Sequence, residues 1–128
     1  MIKTVKVHDY VSGKETAPGK KVLVDRLWPR GVKKEDLPGH WLKEVAPSPD
    51  LRKWFDHDED KFKEFSKRYK EELTEADSSG NEDLATLQEM VDDGDVSLMY
   101  AAKDHDINHA VVLKEWLESR LESASRGE

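Results

Sequence analysis

The chain has 128 residues, no cysteine, and 28 acidic against 21 basic side chains, for a formal net charge of −7. This length suits one domain with one core, and the lack of cysteine excludes disulfides, thiolate catalysis and cysteine metal ligands. The excess of acidic side chains disfavours a broad nucleic-acid-binding surface, so we expect no nucleic-acid partner. No apolar run is long enough for a signal peptide or a membrane span, which predicts a cytoplasmic protein without membrane association.

The first part of the chain predicts strands separated by turns. Residues 2–8 (IKTVKVH) fit a strand, and residues 20–27 fit a second strand with apolar side chains on both faces, which is typical of a central position in a sheet. Pro29 and Gly31 suit the second and fourth positions of a tight turn. Residues 41–46 (WLKEVA) fit a short strand or one helical turn, and the surrounding prolines favour irregular structure with a short strand.

Helical periodicity begins at Asp50 and dominates the middle of the chain. A helix over residues 58–77 places an apolar stripe inward, and Asn81 is suited to cap a third helix. At helical spacing, aromatic residues are more often core than pocket lining. We therefore assign the following aromatic residues to the core: Trp41, Trp54, Phe55, Phe62 and Phe65.

The last part of the chain predicts a buried strand followed directly by a helix. Residues 96–102 (VSLMYAA) form the strand, and residues 106–122 form the helix, with Asp104 or Asp106 as its cap. We expect a frayed tail over residues 121–128. Strands mixed with helices predict one layered α/β domain over residues 1–128, with a small, mainly parallel sheet covered by helices.

Two polar segments, DRLWPRG and AAKDHDINH, follow the two strands that are apolar on both faces. Parallel strands bring their carboxyl ends to one edge, where ligands of α/β sheets bind. The sequence therefore predicts that the turn at residues 28–31 and the loop at residues 102–106 share a rim.

The first segment carries Asp25, Arg26, Trp28 and Arg30. Guanidinium groups offer forked donors to carboxylate or phosphate, and the indole can stack on a ring. In the alternative reading, Asp25 and Arg26 form ion pairs that fix the loop, and Trp28 is core.

The second segment carries Lys103, Asn108 and His109. The helix that follows favours an anion at its amino terminus, and His109 is suited to proton transfer near neutral pH. Helix capping in a solvated loop is the alternative. His105 lies in the loop before the helix and does not share a face with His109, so we assign no metal ligands.

The motifs VDRLWPRG, WLKEVAPSPDLRKWF with HDEDKFKEFSKRYKEEL, and LMYAAKD followed by NHAVVL closely resemble the YeaO-like branch of the domain-of-unknown-function 488 family. The resemblance covers roughly residues 2–120. It implies a small α/β protein of bacteria and archaea, and it implies no particular activity.

The chain departs from the broader family in one respect. The last strand of that family resembles LLC-A-E and its next helix opens with Cys-His-Arg, whereas this chain has Tyr100 to Lys103 and Asn108-His109-Ala110. Cysteine-dependent chemistry is therefore not carried over. The resemblance implies a shared location for the site, formed by Arg26, Arg30, Lys103, Asn108 and His109.

These observations predict an α/β domain that binds a small anionic, phosphate- or nucleotide-like ligand, with or without catalysis and without a cofactor. Arg26, Arg30 and Lys103 hold the charge, Trp28 walls the ligand and Asn108 orients it. Where there is chemistry, His109 is the catalytic proton-transfer group, and Asp25 either orients Arg26 or acts as a second titrating group.

Two alternatives remain open: a non-enzymatic protein-interaction module, and a nucleic-acid-processing protein. An open cleft with free arginines favours ligand binding, and arginines neutralised by internal carboxylates favour a structural role.

Overall fold

The computed structural model describes residues 1–126 and contains a four-stranded, all-parallel sheet covered by helices. This architecture confirms the predicted α/β class. The strands are β1 (Ile2–Lys6), β2 (Lys20–Leu23), β3 (His40–Trp41) and β4 (Val96–Tyr100). The helices are α1 (Val7–Val11), α2 (Pro49–Phe55), α3 (Phe62–Ser78), α4 (Glu82–Asp93) and α5 (His109–Arg126).

The two strands with apolar residues on both faces lie at the centre of the sheet, as the sequence predicts. The strand order is β1-β4-β2-β3, and β2 pairs with β4 in parallel, with Val22 opposite Leu98 and Leu23 opposite Met99. All four of these side chains are buried. The carboxyl ends of β2 and β4 therefore lie side by side.

The sheet separates two hydrophobic clusters, because successive side chains of a strand point to opposite faces. Val22 and Leu98 belong to the larger cluster, which includes residues of α2, α3, α4 and α5. Leu23 and Met99 belong to a smaller cluster that includes Val32 from the segment after β2. The long helices thus pack on one face, and short segments cover the other.

Helix α3 buries the stripe that its sequence predicts. Phe65, Tyr69 and Leu73 are each at most 2% exposed, and the Arg68 guanidinium pairs with Glu64 at 2.9 Å on the outer face. The helix begins at Phe62, four residues later than predicted, because residues 59–61 form a separate 3₁₀ turn. The predicted cap of α4 is confirmed, since Asn81 Oδ1 accepts the Leu84 N–H at 3.0 Å.

Both early strands are shorter than the sequence predicts. Residues 7–11 form α1 instead of extending β1 to residue 8, and β2 ends at Leu23, after which only Val24 makes one more hydrogen bond to β4. Beyond Val24, the side chains of Asp25 and Arg26 bond to the Ala101 N–H and to the Ala46 and Pro47 carbonyls, respectively.

The segment after β2 also turns one residue later than predicted. Val32 N–H donates to the Pro29 carbonyl, which places Pro29 first and Gly31 third in the turn. Gly31 has a φ of 76°, a conformation that favours glycine at the third position of a type II turn. Of residues 41–46, the first belongs to β3 and residues 43–45 form a 3₁₀ turn.

Helix α5 starts three residues after the predicted position, and neither Asp104 nor Asp106 caps it. Asp104 Oδ1 instead accepts the N–H groups of Asp106 and Ile107, which forms a local turn before the helix. The helix extends to Arg126. The predicted frayed tail includes residues 127 and 128, which lie outside the described residues. None of the helices within residues 1–126 has the length and apolar character of a membrane span.

Candidate functional site

A cleft of about 700 Å³ opens where the carboxyl ends of β2 and β4 meet. Three segments and one residue of α3, Phe65, line it. The segments are the β2 loop (residues 24–31), the region from residue 46 to residue 57, and the β4 loop (residues 101–108) with the first residue of α5. The β2 loop and the two ends of the β4 loop therefore share a rim, but of the predicted loop at residues 102–106 only Ala102 lines the cleft.

The lining of this cleft is cationic although the whole chain is acidic. Only two carboxylates line it, together with four positively charged side chains: Arg26, Arg30, Arg52 and Lys53. The carboxylates are those of Asp25 and Asp56, and the imidazole rings of His57 and His109 also line the cleft. The net charge of −7 thus conceals a local excess of positive charge.

Asp25 joins the two loops at the floor of the cleft. Its Oδ2 accepts the Ala101 N–H at 2.9 Å, and its Oδ1 lies 3.0 Å from the Nε2 atom of His109. The two side chains are only 15% and 17% exposed. The carboxylate therefore holds the start of the β4 loop and the start of α5 against the β2 loop.

The ring of His109 is oriented by the backbone of the β2 loop. Nε2 lies 3.1 Å from the Val24 carbonyl oxygen, which can only accept, so Nε2 carries the proton. Asp25 Oδ1 is close to the same nitrogen but lacks hydrogen-bond alignment, and it remains a buried acceptor without a hydrogen bond among the described residues. In the neutral ring, this arrangement leaves Nδ1 as the acceptor.

Arg26 is loosely held by the opposite wall. Its Nη2 lies 3.4 Å from the carbonyl oxygens of Ala46 and Pro47, and its Nη1 lies 3.7 Å from a Glu44 carboxylate oxygen. These distances are long for charge-assisted bonds, and the buried Nε atom has no partner within residues 1–126. The guanidinium is thus close to a carboxylate but not saturated by it.

The wall that holds Arg26 is itself fixed by α3. The Tyr69 hydroxyl donates to the Val45 carbonyl at 2.6 Å, and Glu72 accepts from both the N–H and the hydroxyl of Ser48. Burial above all, together with the nearby Glu72 and Asp25 charges, raises the pKa of Tyr69 well above its ordinary value. The hydroxyl therefore remains a donor at physiological pH.

Arg30, Arg52 and Lys53 differ from Arg26 because they are exposed at the rim. In the part of the chain that the structure describes, none of the three lies within ion-pair distance of a carboxylate. Their charges are therefore available to a ligand.

Trp28 both packs against the protein core and lines the cleft, which are the two roles that its sequence context suggests. Its Nε1 donates to the Val32 carbonyl at 2.7 Å, and its ring meets that of Trp41 edge to face at 5.5 Å. It packs against the smaller hydrophobic cluster while lining the cleft. One side of the indole stabilises the loop, and the side chain still forms part of the cleft wall.

Asn108 lines the cleft, but its polar groups are already used. Its Oδ1 accepts the Val111 N–H at 3.1 Å, which caps α5, and its Nδ2 donates to the Asp104 carbonyl at 2.9 Å. The side chain is 2% exposed. Asn108 therefore serves chiefly to position His109, the next residue.

Lys103 is the one predicted site residue that does not line the cleft. It is exposed, and its carbonyl accepts from the Lys6 ammonium at 3.0 Å. The structure thus brings together the other six predicted residues: Asp25, Arg26, Trp28, Arg30, Asn108 and His109.

Sequence reasoning missed the contribution of α2. This helix is capped by Ser48, whose hydroxyl accepts the Leu51 N–H at 3.2 Å, and it ends at a pair of left-handed residues, Asp56 (φ 46°) and His57 (φ 56°). That reversal leaves both residues on the cleft. The basic pair Arg52-Lys53 was the available signal, but it is indistinguishable in sequence from an ordinary solvated helix face.

The described lining residues include no serine, threonine, tyrosine or cysteine. The described lining therefore offers no hydroxyl or thiol nucleophile for covalent catalysis. Within residues 1–126, no group of three or more His, Asp or Glu side chains is placed to hold a metal ion. The arrangement is suited to holding an anion and to orienting one imidazole.

Comparisons with known proteins match the whole chain to one family. A family model described as the inactive DUF488-N3 subclade matches residues 1–128. The uncharacterised protein YeaO of Escherichia coli is 41% identical over 108 residues, which cover 82% of this chain and 89% of that protein. An uncharacterised protein of Mycobacterium tuberculosis is 40% identical over 103 residues, which cover 80% and 83%, respectively. No solved structure gives a significant match.

Proposed function

The chain belongs to the YeaO-like branch of the domain-of-unknown-function 488 family, and we propose that it is a binding domain for a small, phosphate-bearing anion. The observation that carries this proposal is the group of free cations, Arg30, Arg52 and Lys53, around a cleft in an acidic chain. Forked guanidinium donors suit phosphate and carboxylate groups.

The lining favours binding without turnover. No hydroxyl or thiol among the described lining residues is available as a nucleophile. The one oriented imidazole, that of His109, has its Nε2 atom directed to the Val24 carbonyl. Binding without catalysis also agrees with the word "inactive" in the description of the matching family model.

A purely structural role, in which internal carboxylates neutralise the arginines, accounts for only part of the site. Asp25 ties the two loops together, and Arg26 lies close to Glu44, so these two residues contribute to a rigid loop cluster. The rim cations have no such partners in the described chain. A bound anion interacts favourably with each of these charges.

A thermal-shift titration at low ionic strength tests the proposal, with pyrophosphate and adenosine monophosphate as probes. A ligand that binds only the folded state stabilises it by about 2.7 kcal/mol at a hundredfold excess over its dissociation constant. We expect at least one probe to raise the melting temperature in a saturable manner. A flat response to both probes contradicts the proposal.

Lys53→Gln and Lys63→Gln form a matched pair for the same titration. Each removes one charge from an exposed helical lysine, but only Lys53 lines the cleft. We expect the first substitution to weaken probe binding several-fold and the second to change it little. Equal effects would mean that the probes respond to overall charge and not to the cleft.

A further inference from the structure

The cleft is larger than a phosphate group requires. Its volume of about 700 Å³ lies within the range of pockets that hold whole drug-sized ligands. A lone phosphate held by the rim cations leaves most of this volume unfilled. The remainder of the cleft therefore indicates what else the ligand carries.

Side chains with planar rings also line the cleft, among them Trp28, Phe55, His57 and Phe65. Phe55 and Phe65 stack on each other, with ring centroids 4.2 Å apart and planes 17° apart, and they are only 4% and 1% exposed, so they back the cleft and leave little of their faces to a ligand. The exposed ring of His57 lies 6.2 Å from that of Phe55, and Trp28 supplies an indole from the β2 loop. Such a surface favours a planar ring.

The same lining offers few free groups to read the edge of a ring. Asn108, the one amide side chain in it, already uses its Oδ1 and its Nδ2 within the protein. Asp25 is engaged by Ala101 and lies against His109. Of the side-chain acceptors that line the cleft, the Asp56 carboxylate and one ring nitrogen each of His57 and His109 remain. Recognition by ring face therefore outweighs recognition by ring edge.

We propose that the cleft binds a mononucleotide or a similar ring-bearing phosphate ester, with the phosphate at the rim cations and the ring on the aromatic surface, and with little selection among bases. This inference rests on the proposed function, which it extends from an anion to a ligand class. The ligand is a small molecule and not a nucleic-acid strand, because a strand extending beyond the cleft meets an acidic protein.

Calorimetric titration with four compounds tests the ligand class: adenosine monophosphate, cytidine monophosphate, ribose 5-phosphate and adenosine. We expect the two nucleotides to bind within about fivefold of each other. Stacking on aromatic side chains makes them about tenfold tighter than ribose 5-phosphate, which lacks the base. Adenosine, which lacks the phosphate, is also expected to bind at least about tenfold more weakly.

His57→Ala and His8→Ala provide a matched pair of exposed histidines, of which only His57 lines the cleft. We expect His57→Ala to weaken nucleotide binding several-fold while pyrophosphate binding is unchanged, and His8→Ala to change neither. A loss of pyrophosphate binding in His57→Ala would assign His57 to the anion and not to the ring, which contradicts the stacking arrangement.

The outcomes of these experiments separate the two proposals. Ribose 5-phosphate binding as tightly as the nucleotides overturns the ring and leaves the anion site intact. A more than tenfold preference for one nucleotide overturns weak base selection. Tighter binding of a short single-stranded oligonucleotide than of either nucleotide overturns the small-molecule ligand. Failure of every phosphate compound to bind overturns the proposed function itself.

Discussion

The loops after β2 and β4 are both polar and both follow central strands, yet they contribute differently to the cleft. Every residue of the β2 loop from Asp25 to Arg30 lines it. The β4 loop contributes only its two ends, Ala101 with Ala102 and Asn108, while residues 103–107 do not line it. A position at the carboxyl end of a strand is therefore not sufficient to place a side chain in the site.

Local hydrogen bonds explain the difference. The middle of the β4 loop is held towards β1 and α1, because Lys6 donates to the Lys103 carbonyl and His105 Nε2 lies 2.7 Å from an Asp9 carboxylate oxygen. Asp104 binds the two N–H groups that follow it. The β2 loop instead crosses to the opposite wall through Arg26.

Among the substitutions that separate the two loops, Asp25→Ala is expected to lower stability most, because it removes the contact between them. The Ala101 N–H loses its acceptor in a partly buried position, which costs about 2 kcal/mol of unfolding free energy. Urea denaturation measures the loss. Asp25→Asn keeps an oxygen for Ala101 and is expected to lose less. An unchanged midpoint in Asp25→Ala would mean that the loops do not depend on this contact.

Arg30→Gln and Lys103→Gln compare a cation inside the cleft with one outside it. Both side chains are exposed, and only Arg30 lines the cleft. Loss of one charge-assisted hydrogen bond predicts about tenfold weaker pyrophosphate binding for Arg30→Gln. Less than a twofold change is expected for Lys103→Gln. Isothermal titration calorimetry gives both values, and a larger effect at Lys103 contradicts the assignment of the cleft.

A smaller loss of stability is expected from substitutions of Asn108, at the end of the β4 loop. Asn108→Ala removes the cap of α5, which costs about 1 kcal/mol. Asn108→Ser retains an oxygen acceptor for Val111, so it is expected to lose less stability. Thermal denaturation distinguishes the two variants. Equal stability of Asn108→Ala and wild type would show that the cap contributes little.

The smallest expected effect is a pH-dependent contribution to stability from Asp104, in the exposed middle of the β4 loop. Hydrogen bonds from the Ile107 and Asp106 N–H groups hold the pKa of Asp104 below its ordinary value of 3.8. Because the pKa is lower in the folded state, the stabilisation is present above the ordinary pKa and is lost as the pH falls through the folded-state pKa.

Asp104→Asn keeps an oxygen acceptor but removes the charge, so it isolates this contribution. The stability advantage of wild type over Asp104→Asn is expected at about pH 6 and should shrink at about pH 3. Urea denaturation at the two pH values provides the comparison. An advantage that is independent of pH would indicate that the carboxylate charge has no part in the turn.

The residue pattern predicted the sheet better than it predicted the loops. Apolar side chains on both faces of residues 20–23 and 96–100 reflect burial in the sheet centre, and this pattern is readable from sequence. The cleft contribution of α2 depends instead on where Asp56 and His57 reverse the chain. The exclusion of Lys103 depends on a backbone bond to Lys6. Neither of these tertiary features has a periodic signal.

The most direct test of the anion-binding cleft is a backbone amide NMR titration of the protein with pyrophosphate at low ionic strength. We expect saturable shifts at residues 25–30, 52–57, 101–102 and 108–109, with much smaller shifts at residues 103–107. Shifts centred on residues 103–107, shifts spread over the lysine-rich outer face of α3, or no saturable shifts at all would contradict the account.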